Sequence, residues 1–167
     1  MGIGTLILFV AAILIVLVLY GRRSRSKLAP TVTVNDVNSV LDALRAVAAR
    51  PAFAVFMFHP PDRPPGRDPV SLQFSTEDGD VGFDWVLVGE RNVQDEERFV
   101  EFARGEGYTP VEREKHNVKY LRVSNGDLAR LTTEVLTTMY RVPLTHPIDL
   151  IVEGFAWERE GREPDRA

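Results

Sequence analysis

Glu77, Asp78, Asp80 and Asp84 are the densest carboxylates in the chain, and the chemistry they suit is a hard cation, which takes several oxygen ligands. A strand after the Asp78-Gly79 turn places Asp80 and Asp84 on one face with Gly82 between them. Their spacing does not match a calcium loop, and Asp and Gly belong in such a turn for conformational reasons alone. A solvated hairpin end is therefore the favoured reading, and no metal ligand is assigned. Asp84 is the exception, because it falls mid-strand between Phe83 and Trp85.

His59, His116 and His146 are the imidazoles available for acid/base work. His59 ends a strand before Pro60, His116 falls in a hairpin turn and His146 precedes Pro147, so spacing alone brings none of them to a carboxylate. The chain has no cysteine, which removes thiolate zinc sites, cysteine nucleophiles and disulfides. Neither a Gly-x-Ser-x-Gly elbow nor a phosphate-binding glycine loop occurs. No catalytic residue and no cofactor is expected; an enzyme with a site around Asp84, His59 or Glu90 is the alternative.

Two stretches suit recognition better than catalysis. Residues 60–69 hold five prolines, which stiffen the chain toward polyproline II, with Arg63 and Arg67 as contact residues. The plainer reading is a rigid connector. Phe155 and Trp157 stand beside a charged terminus, where they either seal a core edge or anchor a partner, since interface hot spots concentrate in aromatic residues.

The charge is divided unevenly. The net charge is −4, but residues 1–30 hold Arg22, Arg23, Arg25 and Lys27 and no acid, so the other 137 residues carry 16 cations against 24 acids. Their net of −8 repels phosphate backbones and argues against nucleic acid as a partner. Ile3 to Tyr20 is an uncharged run of 18 residues, 13 of them Leu, Ile, Val or Phe. That length and composition predict a single-pass membrane helix, a retained signal anchor over residues 1–21. The cations that follow it predict an outside N-terminus, a body in the cytoplasm and contact of Arg22, Arg23, Arg25 and Lys27 with the bilayer surface.

These residues need elements to position them. Residues 22–34 read as a basic juxtamembrane linker, residues 35–157 as one α+β domain and residues 158–167 as a flexible charged tail. Val37, Val40, Leu41, Leu44, Val47 and Ala48 recur at helical spacing after an Asn35 cap. Ala52 to His59 is apolar on both faces, while Val70, Leu72 and Phe74, then Val81, Phe83, Trp85 and Leu87, alternate with other residues, which predicts a three-strand antiparallel meander. Asn92 begins a second helix, Thr109–Lys115 and Val118–Val123 form a polar hairpin, and Leu128, Leu131, Val135, Leu136 and Met139 mark a third helix. Ile148–Val152 reads as a last edge strand or a docked extended segment.

The order helix, three strands, helix, two strands, helix, carried by residues 35–141, resembles the type III secretion chaperone-like superfamily, which includes Tir chaperones and YbjN proteins. The likeness is one of architecture, with no short motif behind it. It implies a small, acidic, non-enzymatic module that binds polypeptides and often forms a homodimer. The expected function is thus a membrane-anchored, cytoplasm-facing protein-binding module, adaptor or chaperone-like, whose partner can itself be membrane-embedded; an accessory subunit of a membrane complex is the alternative.

Overall fold

All six residues from Phe53 to Phe58 are buried, although Ala54, Phe56 and Phe58 must point to one side of their strand and Phe53, Val55 and Met57 to the other. A strand buried on both faces belongs inside a sheet, and this one does. The computed structural model of the chain describes residues 31–61 and 68–158. It contains strands β1 (Thr31–Val32), β2 (Phe53–Phe58), β3 (Val70–Glu77), β4 (Asp80–Val86), β5 (Val111–Lys115), β6 (Val118–Val123) and β7 (Ile148–Glu153), with helices α1 (Val37–Arg45), α2 (Glu90–Gln94), α3 (Glu96–Gly105) and α4 (Leu128–Glu134). The strands form one sheet in the order β1-β7-β2-β3-β4-β6-β5, and every neighbouring pair is antiparallel.

One face of the sheet carries the main core. Phe56, Leu72, Phe74, Phe83, Trp85, Val123, Ile148 and Leu150 meet Val40, Leu41 and Leu44 of α1, Phe99 and Ala103 of α3, and Leu131 of α4. Phe53, Val55 and Met57, with Ile151 beside them, make a separate small cluster on the other face. Turn chemistry sets the register: Asp78 and Gly79 have φ of 53° and 87°, and His116 and Asn117 have 53° and 63°, the left-handed pairs that tight hairpins require. Asp127 caps α4 by accepting from the N–H groups of Ala129 and Arg130, both at 3.0 Å.

The fold corrects the expected architecture in several places. Among the described residues it has seven strands and four α-helices, because Thr31–Val32 pairs with β7 and Glu90–Gln94 forms a helical turn of its own. β7 is not an edge strand. It lies between β1 and β2, and Ile148 and Leu150 are wholly buried there. Asn35 is not the cap of α1; it lies within a short 3-10 turn, Val34–Asp36, started by Thr33, whose N–H and Oγ1–H both donate to Asp36 Oδ2, at 2.7 and 2.9 Å.

The membrane reading is corrected as well. Among the described residues no helix is long and apolar enough to cross a membrane. The longest α-helix, α3, has ten residues, about 15 Å of rise, and exposes Glu97 and Glu101 along its outer side, while α4, with seven residues, is continued only by a five-residue π-helical turn, Val135–Met139. A transmembrane, single-pass description and an outside-to-cytoplasm orientation therefore have no support in the described fold, which is an antiparallel sheet domain. The run expected to span, residues 1–21, and the basic Arg22, Arg23, Arg25 and Lys27 lie outside the described residues.

Asn92 shows how α2 is held. Pairing of β3 with β4 runs from Glu77–Asp80 to Gln73–Asp84 and then stops. At Ser71 the Asn92 side chain takes over, accepting from the Ser71 N–H at 3.1 Å and donating to the Ser71 carbonyl at 2.7 Å, as a strand peptide would. Its own carbonyl accepts from Trp85 Nε1 at 2.9 Å. Asn92→Ala leaves two backbone groups without these partners and should lower stability by about 2 kcal/mol in urea unfolding. A loss under about 0.5 kcal/mol would show that solvent replaces the amide there.

Candidate functional site

The carboxylate that stands out by its sequence position, Asp84, lies on the sheet face opposite the main core. Cross-strand register puts it between Gln73 of β3 and Arg122 of β6. Arg122 Nη1 donates to Asp84 Oδ1 at 2.7 Å and to Ser75 Oγ at 3.0 Å, while Ser75 Oγ–H donates to Asp84 Oδ2. Arg122 also reaches the Ser75 carbonyl at 3.3 Å and Glu77 Oε2 at 3.4 Å. Gly82 makes the room for this: a Cβ there would collide with the Arg122 guanidinium.

Asp84 is 2 % exposed and Arg122 5 %, so the charges face each other and are closed to a substrate. Burial pushes the Asp84 carboxyl up from 3.8 to about 6; Arg122 and the Ser75 hydroxyl act against this rise. Burial also raises the Tyr120 phenol. No imidazole joins the cluster, since His59 and His116 are exposed and His146 is half-exposed, each on a different loop. Glu90 is exposed and accepts from Gln94 Nε2 at 2.7 Å. Asp78 and Asp80 are exposed at the hairpin end, and no group of three or more potential ligands able to hold a metal occurs among the described residues. The arrangement joins three strands and offers no free nucleophile.

The aromatic pair near the C-terminus has a different setting. Gly154 ends β7 with φ of 82°, and a Cβ there would lie 2.5 Å from the Pro51 carbonyl, so the chain turns where only glycine fits. Phe155 and Trp157 then come back against the edge of the main core, each half-buried. Trp157 Nε1 donates to Ser39 Oγ at 3.2 Å, and Ser39 Oγ–H donates to the Asp36 carbonyl at 2.9 Å.

This contact borders an open groove of about 580 Å³. Asn35, Asn38, Asp42 and Ala43 line it from one segment of the chain and Ala156, Trp157 and Glu158 from another. α1 presents Asn38, Asp42 and Ala43 because its apolar stripe, Val37, Val40, Leu41 and Leu44, is turned into the core, and Asn35 joins them from the 3-10 turn before it. Phe155 and Trp157 thus do seal a core edge, and Trp157 also forms a groove wall. Sequence reasoning misses Asn35, Asn38 and Asp42 as groove residues; their polar positions opposite the apolar stripe of α1 are the available signal. Arg63 and Arg67, in the proline-rich stretch, lie outside the described residues.

No protein-family model matches the chain, and no curated protein or solved structure matches it.

Proposed function

We propose that this domain is a protein-binding module, adaptor or chaperone-like in action, and that it docks its partner in the groove between α1 and residues 156–158. The observation that carries the reading is the Trp157 indole, held by Ser39 as the wall of an open groove of about 580 Å³. A fixed aromatic wall costs little entropy on binding and is the kind of residue that dominates interface energetics. The titratable cluster around Asp84 supports the same reading from the other side, because its charges are spent on one another.

The cysteine-free sequence allows a clean test. A photo-crosslinker on Ala43→Cys, inside the groove, should capture a defined polypeptide, and the same label on Glu112→Cys, on the distant strand β5, should not. Adding Trp157→Ala to the first variant should reduce capture by about 30-fold, the loss expected of an aromatic hot spot. Equal capture with and without the indole would overturn the groove as the docking site.

A further inference from the structure

We infer that the groove selects a cationic side chain, so that its ligand is an arginine- or lysine-bearing segment of a partner polypeptide. The inference rests on the docking reading above and adds the chemistry of the ligand.

Four features argue for it. Asp42 and Glu158, from two separate segments of the chain, both line the groove, and none of the described lining residues is basic. The Trp157 indole lines the same groove, and indole is the aromatic face that attracts cations most strongly. Asn35 and Asn38 add amide groups that can accept from a guanidinium or ammonium. The wider field has the same sign, since the 137 residues after Pro30 carry a net charge of −8 and draw cations toward the domain.

Asp42 already has a partner, Arg45 Nη1 at 2.9 Å, but both side chains are about half-exposed, at 44 % and 61 %, so a ligand can replace Arg45 at small cost. An acidic segment would meet two carboxylates, only one of which has a cation, Arg45, beside it. An uncharged apolar segment would strip water from both without replacing it.

The test is fluorescence anisotropy of the full 167-residue chain with a labelled nonapeptide of four arginines among glycine and serine, and with its glutamate counterpart. The arginine peptide should bind and the glutamate peptide should not. Asp42→Asn should weaken binding about threefold and Trp157→Leu about tenfold, while Glu112→Gln, which removes one charge far from the groove, should change it less than about twofold. Circular dichroism of each variant controls for folding. The inference is overturned if the arginine peptide does not bind, or if Glu112→Gln weakens it as much as Asp42→Asn, which would reduce the effect to general charge. The two readings fail separately: crosslinking at Ala43→Cys that depends on Trp157, with no affinity for the arginine peptide, keeps the docking site and discards the cationic ligand.

Discussion

Arg122→Ala should destabilise the domain by about 3–5 kcal/mol at pH 8 and by clearly less at pH 5. At pH 8 Asp84 is ionised, and its burial at 2 % exposure leaves Arg122 and Ser75 to compensate the charge. Without the guanidinium a buried carboxylate keeps only a hydroxyl donor, with Glu77 close enough to repel it. At pH 5 the folded protein has Asp84 largely protonated, since its carboxyl titrates at about 6, and a neutral acid needs no cation.

The sign for the unaltered protein has the same origin. The folded state holds the Asp84 proton more tightly than an unfolded chain titrating near 3.8, so this site contributes most to stability below about pH 4. Its contribution falls by about 3 kcal/mol as pH rises from there through 6, at about 1.36 kcal/mol for each pH unit that separates the folded and unfolded titrations, and is flat above about pH 7. Asp84→Asn should remove that slope. Urea unfolding at pH 5 and pH 8 measures both effects. An Arg122→Ala cost that is equal at the two pH values would mean that Asp84 does not depend on Arg122 for its charge.

Why Arg122 escapes notice in the sequence, although Asp84 does not, is a matter of range. Asp84 breaks a local pattern, a charge between Phe83 and Trp85, and local patterns are visible. Arg122 is 38 residues away in a hairpin full of charges, and nothing near it marks it as buried. The Gly82 that clears space for its guanidinium is equally silent, because glycine in a strand has many uses. The same distinction runs through the fold. Val70, Leu72 and Phe74 against Ser71, Gln73 and Ser75 announce a half-buried strand, and Asp78-Gly79 announces its turn. A two-residue strand such as Thr31–Val32 has no period to detect, so β7 reads as an edge although β1 covers it. Asn92 reads naturally as a helix cap, yet its amide is occupied by Ser71, 21 residues back, a use fixed by tertiary contact and not by local sequence. The groove is intermediate: the polar side of α1 and the aromatic Trp157 are each legible, but only the chain reversal at Gly154 brings them together.

Phe99→Ala should cost about 3–5 kcal/mol, because Phe99 is the one helix side chain in a continuous run of aromatic rings. Phe56 meets Phe74 edge-on at 5.8 Å, Phe74 meets Phe83 at 5.5 Å, and Phe99 closes the run by stacking on Phe83 at 5.5 Å and on Trp85 at 4.5 Å. Phe99 is wholly buried, so truncation removes its transfer energy and opens a cavity that α3 cannot fill without leaving the sheet. The interplanar angle of 8° with Trp85 means that the indole loses an entire face of contact. Phe99→Leu keeps most of the volume and should cost about 1–2 kcal/mol. Trp85 reports the change directly: its Nε1 bond to the Asn92 carbonyl fixes the ring, and its emission should shift to longer wavelength in Phe99→Ala as solvent reaches the exposed face. Trp157 contributes a second, more polar emission, so the shift is best read in a Trp157→Phe background. A domain of this size has a total stability of about 5–15 kcal/mol, so the alanine variant should unfold at well under the urea concentration that unfolds the parent. A cost below about 1.5 kcal/mol would mean that α3 settles onto the sheet without Phe99, and that β4 is held by its strand pairing with β3 and β6 more than by the stacked rings.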